Sequence, residues 1–286
     1  MTTINFFSAG ELFLERKPTS AMLSVLMPAY NEATSIAENV CETVETMHAL
    51  GLDFEIVVID DGSLDGTHAA ASDALRAWPD HVRVVRCGRN EGKGNALICG
   101  ACYAKGEYIA FLDADMDLHP EQLARFFGIM QERGADAVIG SKFHPDSKVD
   151  YPPERRVYSF FYYLLVRSLF GLPVRDTQTG IKLFRRNVLD RVLPRILVKR
   201  FAFDLELLAN IHHFGYRIVE APVTLNFKRI CSRLRLGAVW NVFVDTLAIF
   251  YRMRILRYYD RPERSAVSFD RAAGSHEIVV PIAVRE

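Results

Sequence analysis

The chain reads as an α/β fold with a mostly parallel sheet and helices on both faces. Two observations predict this. Short apolar runs rich in β-branched residues alternate with helix-length segments through the first half of the chain, the pattern of a parallel sheet wrapped by crossover helices. Polar, glycine-bearing clusters follow the apolar runs, at the carboxyl ends of the strands where such sheets bind ligands.

Taken in order, residues 23–28, 55–60, 82–86, 108–113 and 137–141 are the expected strands, exemplified by Ile56-Val57-Val58-Ile59. Residues 33–50, 65–78, 93–105 and 120–133 are the expected helices between them. Tyr30-Asn31-Glu32, Asp60-Asp61-Gly62-Ser63, Asn90-Glu91-Gly92-Lys93-Gly94 and Asp113-Ala114-Asp115 then fall together on one rim. The second half differs. Residues 154–171 are strongly aromatic, and Asp176-Thr177-Gln178-Thr179-Gly180 reads as a loop. A helix is expected near 203–214 and a strand near 217–227. A long helix over 236–259 has Asn241, Asp245 and Arg252 on one face and Val239, Phe243, Leu247 and Phe250 on the other, with Arg252, Arg254 and Arg257 toward its end. That composition suits a helix lying in a membrane interface; it also suits a core helix whose basic end complements its dipole. The tail from 262 has no clear periodicity, although 277–284 could add an edge strand. The expected division is an extension over 1–21, a catalytic domain over 22–230 with an interface helix inserted at 154–171, an amphipathic interface helix over 231–260, and a tail over 261–286.

With 286 residues, of which 50% are hydrophobic, the chain can bury a sizeable core. A formal net charge of +0 gives no global field that would draw nucleic acid. Basic residues do concentrate in Lys228-Arg229-Ile230-Cys231-Ser232-Arg233-Leu234-Arg235, which points to an anionic partner. Five scattered cysteines argue for a reducing compartment and against a disulfide framework, and Cys99-x-x-Cys102 lacks the second pair of a zinc site. No basic segment leads into an apolar core near the N-terminus, as a secretory signal requires. No run reaches the ~20 apolar residues that span a bilayer. Residues 157–172 come nearest and are interrupted by Arg167. The expected location is therefore the cytoplasm, with the protein peripheral on the cytosolic face of a membrane. The sequence carries no mark of an oligomeric state.

Asp113-Ala114-Asp115 closes the apolar run Tyr108-Ile109-Ala110-Phe111-Leu112. In an extended strand residues i and i+2 share a face, so the two carboxylates would converge, with Asp117 as a possible third. Mg2+ characteristically takes one or two carboxylates plus phosphate oxygens, so the pair suits a metal that also holds a diphosphate. Rival motifs fail on particular residues. An EF-hand beginning at Asp113 would have Leu118 in place of glycine and Ala124 in place of its bidentate glutamate. A Walker A loop ending at Lys93 is one residue short, with Gly94 where Ser or Thr must stand. Gly92-Lys93-Gly94 lacks the third glycine of a dinucleotide fingerprint, and the adjacent His212 and His213 point to different helix faces.

Leu26-Met27-Pro28-Ala29-Tyr30-Asn31-Glu32 and the three later clusters stand in the order found in inverting family 2 glycosyltransferases of the GT-A fold, which the chain resembles. Val138-Ile139-Gly140-Ser141-Lys142, Arg155-Arg156-x-x-Ser159, Asp176-Thr177-Gln178-Thr179-Gly180, Phe203-Asp204-Leu205-Glu206 and the run from Gly215 to Val223 narrow the resemblance. They are similar to polyprenol-phosphate sugar synthases of the dolichyl-phosphate mannose synthase type, over about residues 22 to 258. The resemblance implies that Pro28, Tyr30, Glu32 and Asp61 line the nucleotide, with Lys93, Ala114 and Gln178 completing the donor site. It implies Mg2+ or Mn2+ on Asp113 and Asp115, with Asp117 where the family usually has glutamine. Lys142 replaces the usual arginine at the acceptor phosphate, keeping a point charge but losing the bidentate fork. Arg156, Arg229, Ser232 and Arg233 are the other implied phosphate contacts, and the two amphipathic helices match the family's interface helices.

The expected reaction moves mannose or glucose from a GDP- or UDP-sugar to a polyprenyl phosphate, with inversion. A phosphate acceptor is already an anionic nucleophile and needs no general base. A hydroxyl on a glycan or soluble acceptor is the alternative. It would need a base, for which Asp204 and Glu206 are candidates, unless they simply begin a helix. The expected catalytic set is thus Asp115, Lys142, Arg156, Asp204 and Glu206.

Overall fold

A computed structural model describes residues 22–149, 153–200, 202–225, 236–261 and 276–279, with 153–158, 236–239 and 276–279 described as backbone only. Its strands are β1 (Leu23–Ala29), β2 (Phe54–Asp60), β3 (Val82–Cys87), β4 (Tyr108–Phe111), β5 (Ala137–Ser141), β6 (Lys182–Arg185), β7 (Ile218–Pro222) and β8 (His276–Val279). Its α-helices are α1 (Ile36–Ala49), α2 (Thr67–Ala77), α3 (Lys93–Tyr103), α4 (Gln122–Arg133), α5 (Pro153–Phe170), α6 (Arg186–Val192), α7 (Phe203–His213) and α8 (Leu236–Phe250).

The strands form one sheet in the order β7-β5-β6-β4-β1-β2-β3-β8. β1 to β4 run parallel, as do β5 and β7, so the expected parallel core is present. β6 is antiparallel to β4 and β5, and β8 is antiparallel beside β3 at the edge. β6 is absent from the sequence-based expectation. It is a four-residue strand carrying Lys182 at its head, too short and too charged to register as an apolar run.

All seven positions of β2 are buried, as expected for a strand covered on both faces. Its side chains divide by the two-residue period. Val57 and Ile59 join Leu26, Phe111 and α3 on one face, while Ile56 and Val58 join Val25, Met27 and α1 on the other. The buried Glu55 is compensated by the Ser24 hydroxyl at 2.7 Å and by Arg83 at 3.3 Å. The Phe111 ring lies 4.9 Å from Phe184 and 6.4 Å from Phe203, joining β4, β6 and α7.

The C-terminal α-helix is shorter than expected. The α-helix ends at Phe250 and continues as a π-helical turn, Tyr251–Ile255, before Tyr258–Asp260 forms a short 3-10 turn. Its buried line is Thr246, Ile249 and Met253, whereas Phe243 and Leu247 of the expected apolar face are exposed. α8 therefore turns an apolar face outward.

The Phe111→Ala variant is expected to lose about 3–5 kcal/mol of stability, because a ring shared by three elements leaves a cavity none can fill alone. Chemical denaturation measures it, and a loss under 1 kcal/mol would deny Phe111 that role.

Candidate functional site

The polar loops at the carboxyl ends of the strands are stitched to one another. Asn31 takes a left-handed conformation (φ 56). Its N–H donates to the Ser63 hydroxyl at 3.0 Å, and its side-chain oxygen accepts from Leu64 N–H at 3.2 Å. Glu32 N–H donates to Thr67 Oγ1 at 2.7 Å, so the loop after β1 is tied to the loop after β2. That second loop is tied to the third through Asp61, whose carboxylate accepts from the N–H groups of Glu91 (3.2 Å) and Gly92 (2.9 Å). Burial pushes the Asp61 carboxyl up, and these two N–H groups partly offset it. Gly62 (φ 67) permits the approach, since a Cβ there would lie 2.5 Å from the Arg89 carbonyl carbon. The fourth loop is anchored from α1, where Asn39 Nδ2 donates to the Ala114 carbonyl at 2.7 Å.

Between the loops lies a cleft of ≈ 300 Å³ lined by Pro28, Ala29, Tyr30, Glu32, Asp61, Asn90, Gly92, Lys93, Asp113, Ala114 and Asp115. Asp113 and Asp115 do converge here, but not through strand alternation. The β4 ladder ends at Phe111, with Leu112 N–H donating to the Leu26 carbonyl at 3.0 Å. The residues beyond form a turn, closed by Met116 N–H toward the Asp113 carbonyl at 3.4 Å with Met116 at φ 56. Lys93, at the N-terminus of α3, pairs its ammonium with Asp113. Burial works against that ammonium, yet Asp113, Asp204 and Asp115 hold its pKa above the usual lysine value. Burial, then the charge of Asp113, pushes the Asp115 carboxyl up to about 6. Gly180 packs against Asp113 so closely that a Cβ would collide with its carboxylate.

Other residues expected in the site stand elsewhere. Asp117 is not part of the cleft wall; its N–H donates to Asp115 Oδ1 at 3.2 Å. Among the described residues no three acidic, histidine or cysteine side chains stand together as a metal site. The Lys142 ammonium lies 3.5 Å from Asp176, which also accepts from Gln178 N–H at 3.0 Å and the Thr179 hydroxyl at 2.6 Å. Asp176 thus shapes its loop, and neither Lys142 nor the exposed Gln178 lines the cleft. Asp204 accepts from Lys182 at 2.7 Å, and Lys182 also donates to the Thr179 carbonyl at 2.5 Å. Lys182 was not anticipated; the one available signal is a cation inside Ile181-Lys182-Leu183-Phe184. Asn90, which lines the cleft, had only its place in the Asn90-x-Gly92-Lys93-Gly94 cluster to mark it.

Glu206 requires a correction. It is fully buried, and accepts from Leu197 N–H (2.9 Å), Val198 N–H (2.7 Å) and the Tyr259 hydroxyl, with Arg252 at 3.3 Å. It lies outside the cleft wall with its oxygens engaged, so it is not placed to take a proton there. Arg252 likewise turns inward to this carboxylate instead of toward a membrane surface. The backbone of α5 carries Arg156, whose side chain is outside the described part; Arg229, Ser232 and Arg233 lie outside the described residues.

The model of glycosyl transferase family 2 matches residues 24–193. The chain is 33% identical over 216 residues to glycosyltransferase AglD of Haloferax volcanii, covering 73% of this chain but only 34% of that protein. It is 32% identical over 227 residues to the polyprenol monophosphomannose synthase of Mycolicibacterium smegmatis, covering 78% of this chain and 83% of that one. It is 29% identical over 213 residues to a dolichyl-phosphate beta-glucosyltransferase of Dictyostelium discoideum, covering 70% and 65%. A crystal structure of glucosyl-3-phosphoglycerate synthase from Mycobacterium tuberculosis, in complex with Mn2+, uridine diphosphate and phosphoglyceric acid, shares the fold. Its TM-score is 0.61 at 20% identity, over 87% of this chain and 83% of that one.

The Gly180→Ala substitution is expected to displace Asp113 and lower the activity carried by the cleft by roughly a hundredfold. The thermal midpoint should move only a few degrees. Full activity in this variant would remove Asp113 from the site.

Proposed function

Since the chain belongs to glycosyl transferase family 2, we propose that it transfers one hexose from a nucleoside diphosphate sugar to a polyprenyl phosphate, with inversion, at a membrane surface. The observation that carries this reading is the cleft that brings Asp113 and Asp115 together with Lys93, Pro28, Tyr30 and Asp61. The named relatives that act on polyprenol or dolichyl phosphate support the acceptor class, and they include both a mannose and a glucose synthase.

The donor set fits Mg2+ or Mn2+. Two carboxylates line the cleft, and the Asp113 charge adds to burial in raising the Asp115 carboxyl, a repulsion that a cation would relieve. Mn2+ accompanies uridine diphosphate in the solved neighbour. When bound, the metal supplies Lewis-acid stabilisation of the departing diphosphate. The protein's own part is positional and electrostatic. Pro28, Tyr30, Glu32 and Asp61 hold the base and ribose, and Lys93 fixes positive charge where the leaving group gains negative charge. Lys142, Arg156, Arg229, Ser232 and Arg233 are assigned to the acceptor phosphate. Phosphate would compete with Asp176 for Lys142, which lies 3.5 Å from that carboxylate. An acceptor already ionised needs no base, and Asp204, committed to Lys182, is poorly placed to serve a hydroxyl.

The acceptor's lipid calls for a membrane-facing surface. Among the described residues no helix is long and apolar enough to cross a membrane. α5 and α8 lie side by side, with Phe170 and Phe250 at 6.2 Å, and expose Phe160, Phe161, Leu164, Trp240, Phe243, Val244 and Leu247. Arg167, Arg254 and Arg257 are exposed on the same helical pair and its extension. An apolar face bordered by arginines is the composition that binds anionic lipid headgroups.

Radiolabel from a panel of GDP- and UDP-sugars is expected to enter butanol-extractable polyprenyl phosphate and to vanish with EDTA. Donor turnover without lipid label would instead indicate a hydroxyl acceptor. The Asp115→Asn variant should lose at least about a hundredfold in transfer while vesicle binding survives; persisting transfer would overturn the metal assignment. In flotation with vesicles containing anionic phospholipid, Leu247→Glu should weaken binding by about tenfold or more. Unchanged flotation would remove α8 from the membrane face.

A further inference from the structure

We propose that Glu206 is a positioning residue for the donor site, acting through the segment 196–200. This rests on reading the Asp113–Asp115 cleft as a nucleoside diphosphate site. Glu206 grips the segment by two adjacent N–H groups, of Leu197 at 2.9 Å and Val198 at 2.7 Å, both on one carboxylate oxygen. The other oxygen accepts from the Tyr259 hydroxyl and faces Arg252 at 3.3 Å, and Arg252 Nε donates to the Tyr259 hydroxyl oxygen at 3.1 Å. One carboxylate therefore joins α7 to the chain that follows α8 and to the segment leading into α7 itself.

The far end of that segment rests on the donor loop. The Lys199 carbonyl accepts from Asn95 N–H at 3.3 Å, and the Lys199 ammonium pairs with the Glu91 carboxylate. At Gly92 (φ 106) a Cβ would come within 2.7 Å of both the Lys199 carbonyl oxygen and Arg200 Cγ. The segment is thus a bracket pressed on Glu91 and Gly92 and bonded to Asn95, on either side of Lys93. Glu91, Gly92 and Lys93 hold Asp61 by two N–H groups and Asp113 by the ammonium, so a shift of the bracket reaches both ends of the cleft. Mispositioning of about 1 Å is enough to cost up to a hundredfold in a preorganised site.

The full-length protein is titrated with UDP and with GDP in the presence of Mn2+, and the tighter ligand is then used with Glu206→Gln, Lys199→Ala and the double variant. If the unaltered protein binds neither nucleotide, the cleft reading falls before the bracket is tested. Where it binds, each single variant should raise Kd by roughly tenfold. Donor KM should rise in step, with kcat at saturating donor little changed. The double variant should be no worse than the worse single one, because both cut the same connection. Unchanged Kd in either variant, or losses that multiply, would overturn the proposal. Should Glu206→Gln fail to fold, Lys199→Ala, at the half-buried outer end of the bracket, decides by itself: an unchanged Kd there overturns the proposal and a raised one sustains it.

Discussion

A sheet covered on both faces leaves the ends of its strands as the place where charged side chains can gather in contact with water. That constraint organises this protein. β1, β2 and β4 bury mainly apolar side chains, and each delivers a polar loop at its carboxyl end. The loops are irregular backbone, so their N–H and C=O groups must find partners outside any ladder. Asp61, Ser63, Thr67 and Asn39 supply them. The cleft is rigid because the side chains that line or flank it also satisfy the backbone of the next loop.

Charge is managed differently inside and outside the cleft. In the core each buried ion has a close counterpart. Lys182 meets Asp204, Glu55 meets Arg83, and Glu206 meets Arg252 together with a hydroxyl and two N–H groups. Removing one member of such a set strands the other, at a cost of about 3–5 kcal/mol. In the cleft the balance is left unequal, with Asp61, Asp113 and Asp115 against Lys93. Burial, with the Asp113 charge added, raises the Asp115 carboxyl, and relieving that charge repulsion is work a divalent cation can do on binding. The imbalance is therefore a property of the site, sustained by the rigid loops around it.

α5 and α8 show how much of an amphipathic pattern only packing settles. The apolar residues of α8 run nearly all round the helix, so periodicity does not settle which stripe faces the core. Thr246 and Ile249 are buried while Trp240 and Leu247 are exposed, because that line of α8 faces α5 and α7. The inward turn of Arg252 follows from the same packing. A buried Glu206 carboxylate sits where that side of the helix arrives, and its charge outweighs what solvent offers the guanidinium.

The sequence by itself determined the α/β class, the parallel core, the four loops on one rim and the pairing of Asp113 with Asp115. These depend on local composition and on short spacing: β-branched runs such as Ile56–Ile59, glycines at turns, carboxylates two apart. Tertiary structure decided the rest. A turn, not an extended strand, brings Asp113 and Asp115 together, because β4 leaves its ladder with β1 after Leu112. Asp204 and Glu206, two residues apart on one helix, meet unrelated fates because Lys182 and Arg252 arrive from distant parts of the chain. Which polar groups a buried carboxylate meets is a matter of long-range packing, and no short stretch of sequence contains that partner.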